Sequence, residues 1–321
     1  MKAPAFTPRP GRFRQVPPAI FTPIFGLLGL GLAWRRASGA LSLPGGVAEL
    51  LLGAGVALYL FAVFAYAVKV ALRFGVIGED LRTLPGRGGL TAASLSVFLL
   101  AVVALPYSQS LARGVLALGL VTHVILALLY IRALIVAPPE GRRVTPIWHL
   151  AFVGFILAPL SAVPLGYYTL ATAILWMTMP IAVGIWALSA IFLVQKGMPP
   201  PLRPLMAIHA APAALFATVA ASLGMGQLAM AFALFLGILL MALAISGRWI
   251  MAAGFSPLWG AFTFPSAAAA SAFLMQPGAP FRSVGAAVLI AATLIVLPVL
   301  VKVMKLWAGG QLGPKTNAAI A

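Results

Sequence analysis

The sequence contains no cysteine. Disulfides, thiol catalysis and cysteine-ligated metal sites are therefore excluded. Acids are almost as scarce: Glu49, Glu79, Asp80 and Glu140 are the whole set in 321 residues. None falls in the middle of a long apolar run; Glu49 comes nearest, at the start of one. Proton- and sodium-coupled transporters generally use intramembrane carboxylates. Their absence argues against coupled transport, against a cation channel with acidic rings, and against a magnesium-dependent transferase with Asp-rich motifs. A conduit for anions needs no buried negative charge.

What is present is apolar. Hydrophobic residues make up 63% of the chain and charged residues 8%, against about 25% charged in a soluble domain. No soluble core hides that much apolar surface, so the class is an all-α polytopic membrane protein. Residues 1–16, MKAPAFTPRPGRFRQV, are basic and proline-rich. The run after them is too long and too proline-broken for a signal-peptide core and reads as a retained first span. The formal charge of +17 raises a nucleic-acid partner, but the basic residues lie between apolar runs. Cytoplasmic lysines and arginines explain them better, and no nucleic-acid partner is expected.

Ten spans are expected, at 17–34, 47–68, 90–105, 111–136, 147–163, 168–194, 205–223, 227–246, 258–275 and 284–306. They form one transmembrane domain over 1–321, with a cytoplasmic N-terminal segment at 1–16 and a cytoplasmic tail at 307–321. Arg35, Arg36, Arg113 and Arg282 fall on one side of the membrane. All other basic residues, Lys69 and Arg73 among them, fall in linkers and termini on the opposite side. The positive-inside rule then makes both termini cytoplasmic. Short and long linkers alternate, which gives five helical hairpins that each begin on the cytoplasmic side.

The odd spans differ from the even ones. They carry small residues at three-and-four spacing, which places each set on one helix face. Span one has Thr22, Gly26 and Gly29; span three has Ser94 beside Phe98; span five has Gly154 and Ser161. Span seven has Ala213 beside Phe216, and span nine has Gly260, Ala268 and Ser271 around Phe264. Small stripes also let helices pack closely in lipid. Five of them on odd spans alone point to inner helices around a central pore, with even helices outside. The same spans hold the internal prolines Pro23, Pro159, Pro212 and Pro265, expected to break helices and leave half-helix N-termini near the midplane.

Phe264 is the one large side chain on the span-nine small face; Phe262 falls on the opposite, bulky face. Phe264 is thus the first candidate for a hydrophobic gate, Phe262 the second, and Pro265 the neighbouring defect. No basic residue lies mid-span, so hydroxyls of Thr22, Ser94, Ser161, Thr263 and Ser271 are the available donors. Of the histidines, His123 and His149 read as neutral packing residues, and His209, beside Pro212, is kept as a pathway candidate. No metal site and no cofactor is expected.

The stretches Ser256-Pro257-Leu258-Trp259, Ala261-Phe262-Thr263-Phe264-Pro265 and Ile208-His209-Ala210-Ala211-Pro212-Ala213 resemble the tellurite-resistance and C4-dicarboxylate transporter family, which includes the plant guard-cell slow anion channels. The resemblance covers essentially the whole chain. It implies a homotrimer of pores, odd helices inside and even helices outside, and an anion pathway occluded by a phenylalanine of the ninth span, here Phe264. The plant channels add long phosphorylated tails; with the short termini here, kinase control is not expected.

The sequence thus points to an anion channel or channel-like permease in a bilayer, a bacterial inner membrane, with small inorganic or organic anions as partners and no enzymatic role. One alternative is a secondary carrier for C4-dicarboxylates or tellurite-type oxyanions. A more distant one is a haem- or histidine-dependent membrane enzyme using His123, His149 and His209.

Overall fold

A computed structural model of the chain describes Gly11 and residues 13–321. The basic residues Lys2, Arg9 and Arg12 of the expected cytoplasmic segment lie outside the described residues. Helices α1 (Pro18–Leu41), α2 (Gly46–Leu72), α3 (Leu84–Ala104) and α4 (Gln109–Val136) come first. A shorter apolar segment, α5 (His149–Ala162), follows, and then α6 (Tyr168–Lys196), α7 (Pro200–Ser222) and α8 (Gly226–Ile245). Residues 257–274 form α9, a 3₁₀ piece (Pro257–Phe262) running into an α-helix (Thr263–Leu274). Ala279–Ala308 is α10. Among the described residues, eight helices are long and apolar enough to cross a membrane. The positions expected for spans five and nine hold α5 and α9, which are built from shorter helices in series.

Local chemistry sets the ends. Thr83 caps α3 by accepting from the Gly86 N–H at 3.1 Å, and Ser108 caps α4 by accepting from the Leu111 N–H at 3.2 Å. Helix α1 stops where Ser42 turns left-handed, and α6 stops at Gly197, with φ of 68°.

Burial separates two layers. The apolar window is 78% buried in α1 and α3 and 83% in α7, against 33% in α2, α4 and α10, 22% in α6 and 17% in α8. The odd segments therefore lie inside. They close a ring in the order α1, α3, α5, α7, α9 and back to α1, and each even helix packs outside the odd segment before it. Large apolar side chains such as Phe64, Leu128, Met177, Ile238 and Leu294 stay exposed on the outer helices, a surface suited to hydrocarbon.

The prolines were expected to break the inner segments into half-helices, and the winding around them differs from that. Helices α1, α7 and α9 each begin as 3₁₀ and switch to α. Pro23, Pro212 and Pro265 are each the third residue after that switch. In α5 a π turn and a 3₁₀ turn precede the α-helical piece, whose first residue is Pro159. First-turn N–H groups of an α-helix have no intrahelical acceptor, so a proline there costs little. These prolines mark a change of winding and not an open half-helix end.

Two charged clusters staple the ends of the bundle. Lys69, expected in a linker, is instead in the last turn of α2 and fully buried. Its Nζ donates to Asp80 Oδ2 at 2.7 Å and to the Val16 carbonyl at 2.9 Å. Asp80 also accepts from the Tyr66 hydroxyl and from the Ala319 N–H, each at 2.8 Å. At the opposite end Arg35 pairs with Glu49 at 2.8 Å, and the Tyr107 hydroxyl donates to Glu49 at 2.7 Å.

Candidate anion pathway

The N-terminal parts of all five inner segments converge on one cavity of about 770 Å³, including its open mouth. Thr22 of α1, Gly88 of α3, Gly154 of α5, Pro212 of α7 and Gly260 of α9 each contribute to its wall. No charged side chain lines it; Thr22 and His149 are its polar side chains. The Thr22 hydroxyl is already committed to the Ala19 carbonyl at 2.7 Å. The wall is therefore almost wholly apolar and offers an ion few direct hydrogen bonds.

Phe264 and Pro265 sit in this wall, and so does Phe25. The Phe264 ring stacks on that of Phe25 at a centroid distance of 3.9 Å and an interplanar angle of 18°. Glycines bring α1 and α9 close enough for that contact. A Cβ on Gly26 would run into Thr263, one on Gly260 would lie 2.5 Å from Thr22 Oγ1, and one on Gly29 would lie 2.8 Å from Phe264 Cδ2. Real Cβ atoms do not make such approaches without movement of a neighbour. Thr263 fixes the crossing by donating to the carbonyls of Gly260 at 2.7 Å and Thr22 at 3.2 Å. Phe262 is half-buried and packs edge-on to Trp259 at 5.7 Å. It is absent from the cavity wall, whereas Phe264 is part of it.

A histidine pair reaches the same wall through His149. His149 Nε2 is 3.0 Å from His209 Nδ1, and both rings are buried. Only one proton can occupy that hydrogen bond, so one ring donates and the other accepts. Trp186 Nε1 braces His209 by donating to its carbonyl at 3.2 Å. His149 Nδ1 is buried with no hydrogen-bond partner among the described residues. The residue placed directly in the wall is His149. The sequence favoured its partner His209, because the π turn that carries His149 inward leaves no trace in apolar periodicity.

Several expected pore residues face elsewhere. Gly26 is spent on the contact with Thr263. Ser94 Oγ is 2.9 Å from His123 Nδ1, so it faces α4. Phe98 points the same way, edge-on to His123 and against Gly119. Phe216 packs outward against Trp186 and Phe232. Ser161 bonds the Ala158 carbonyl at 3.2 Å within its own segment. Ala213, Ala268 and Ser271 are not part of this cavity's wall. Thr22, Gly154, Gly260, Phe264 and Pro265 lie together in this wall, with Phe25 and His149 beside them.

Among the described residues, no group of three or more His, Cys, Asp or Glu side chains is arranged to hold a metal ion. No curated protein matches the chain. The family model described as voltage-dependent anion channel matches residues 15–304, a span that takes in every inner segment and both rings of the stack.

Proposed function

The chain belongs to the voltage-dependent anion channel family, and from that premise we propose that it carries anions across a bilayer through the axis of its five inner segments, with Phe264 as the gate. The observation that carries this reading is the seat of the Phe264 ring, stacked on Phe25 in the wall where all five segments meet. A ring held in an apolar constriction excludes water and hence a hydrated ion. Pro265, at the switch from 3₁₀ to α winding, lies next to the ring and is the place where a small change of winding moves it.

The cavity is lined by the N-terminal parts of the inner segments, the end of the bundle near which most of the basic residues cluster, Arg82, Arg132 and Arg203 among them. Such a rim raises the local anion concentration. The wall itself offers no charge, so an ion inside is held weakly and leaves quickly. That combination favours a channel over a tight-binding carrier. By the positive-inside rule the basic end is cytoplasmic, which places both termini on the inner side of a plasma or bacterial inner membrane. All ten segments then cross the bilayer. The resemblance in sequence extends the reading to a homotrimer with one pathway in each chain.

Planar-bilayer recording tests the proposal. Wild type is expected to pass little current and Phe264→Ala to pass a large anion current. A folded Phe264→Ala protein that stays closed removes the gate. A dicarboxylate or oxyanion carrier would instead give saturable counter-flow in vesicles without unitary currents.

A further inference from the structure

A second groove, of about 1510 Å³ including its open side, lies outside the inner ring at the basic end. One wall is the linker around the short helix Val76–Asp80; the other is the last turns of α4. Arg82, Arg87 and Arg132 line it, together with apolar residues such as Phe74, Leu129 and Val136.

Arg87 is buried, and it bridges the two walls. Its Nε donates to the Leu81 carbonyl at 2.7 Å and its Nη1 to the Gly141 carbonyl at 2.9 Å, while the guanidinium lies 5.5 Å from the centre of the Tyr130 ring. No carboxylate among the described side chains pairs with it. Buried charge is normally compensated. Glu79, nearby on the linker, is engaged by Arg73, which holds its carboxyl below the usual range. Arg82 and Arg132 are exposed at the same groove. Next to these cations, Phe74 and Val136 present exposed apolar surface.

We infer that this groove binds the headgroup of an anionic phospholipid, with the phosphate against Arg82, Arg87 and Arg132 and an acyl chain along Phe74 and Val136. Charge complementarity selects an anion, and the adjoining apolar flank selects a lipid over a soluble phosphate. Basic pockets between helices at the cytoplasmic leaflet recognise such headgroups. The site also touches the transport pathway, because Leu84, Pro85 and Gly88, directly around Arg87 in sequence, line the central cavity. An occupied groove therefore fixes one wall of the cavity.

The test is native mass spectrometry of the full chain released from nanodiscs holding equal phosphatidylglycerol and phosphatidylcholine. Wild type is expected to retain phosphatidylglycerol preferentially. Each arginine near the headgroup contributes roughly fivefold, so Arg82→Gln with Arg132→Gln lowers that preference about 25-fold. Arg248→Gln, an exposed charge outside the groove, leaves it unchanged. Equal retention of the two lipids, or a preference untouched by the double variant, overturns the proposal. So does displacement by millimolar inorganic phosphate, which would assign the groove to a soluble anion. A change of oligomeric mass in the double variant would assign it to a second copy of the chain. The readout is lipid retention, so it stands or falls independently of any measured anion current.

Discussion

The ring of Phe264 lies almost parallel to that of Phe25, with centroids 3.9 Å apart. The two rings belong to the first and the ninth segments, and Gly29 leaves the space that lets them meet. Aromatic pairs of this kind contribute about 0.5–1.5 kcal/mol beyond their buried area. For the proposed gate, that is enough to favour the closed state in most molecules and small enough to be overcome. Phe264→Ala is expected to raise anion conductance by about an order of magnitude or more. Phe25→Ala, which removes the backing ring alone, raises it less. Phe262→Ala leaves it near wild type, and single-channel recording of the three variants separates them.

Gly29→Ala probes the same seat from behind. Its new Cβ would lie 2.8 Å from the Phe264 ring edge, so the ring must move. The expected outcome is a folded protein with raised basal current. Gly26→Ala would instead press on the Cβ and backbone of Thr263, which cannot step aside. That variant is expected to lose folded yield, read by size-exclusion chromatography.

In the proposed pathway the apolar wall sets selectivity. An ion that finds few hydrogen bonds inside must leave its water behind, and the cost rises with the strength of its hydration. In Phe264→Ala, reversal potentials are expected to rank iodide and nitrate above chloride, chloride above fluoride, and sulfate last. A flat sequence, or one led by sulfate, would require a charged binding site that the wall does not contain.

His209→Leu removes the partner of His149 and leaves both of its ring nitrogens unbonded. A buried polar group stranded in this way costs about 1–3 kcal/mol. Thermal unfolding in detergent is expected to show that loss. The double variant His149→Leu with His209→Leu should lose less than the two single variants added together.

Asp80→Asn breaks the fully buried pair with Lys69. Stranding the lysine charge is expected to cost about 3–5 kcal/mol. Lys69→Met combined with Asp80→Leu removes both charges and should recover most of the loss in the same thermal assay. A double variant as unstable as Asp80→Asn would mean that the Tyr66 and Ala319 contacts to Asp80, not the charge pair, carry the stability.

The layered ring was legible because lipid and protein interior demand different side chains. Small residues at three-and-four spacing marked the inner segments, and the outer helices were left rich in leucine and valine. Which face of an inner helix meets the axis was less legible. An inner segment is buried on every side, so polarity does not orient it. Ser94 and Phe98 lie on a regular face of α3, yet that face turns to His123 on α4. Phe216 was misplaced for the same reason, since Trp186 and Phe232 offered it an aromatic seat outside the axis. The 3₁₀ and π turns were invisible because they reuse the same apolar residues with different hydrogen bonds. They carry His149 into the wall and set the face of Phe264. The Lys69–Asp80 pair escaped because each residue alone looks like a loop charge. Burial comes only when α2, the linker and residues near the C-terminus fold together.

The crossing of Thr22 and Thr263 joins residues 241 positions apart. A chain made and inserted from its N-terminus has the first eight segments in the membrane before α9 exists. Until then the inner segments form an open horseshoe, with the groove of α1 exposed to lipid on its Gly26–Gly29 side. The last hairpin brings the closing stave and the proposed gate in one piece, since Phe264 lies on α9 itself. With Phe264 as the proposed gate, a nascent or truncated chain has no stage at which the ring of inner segments is closed and the gate is missing.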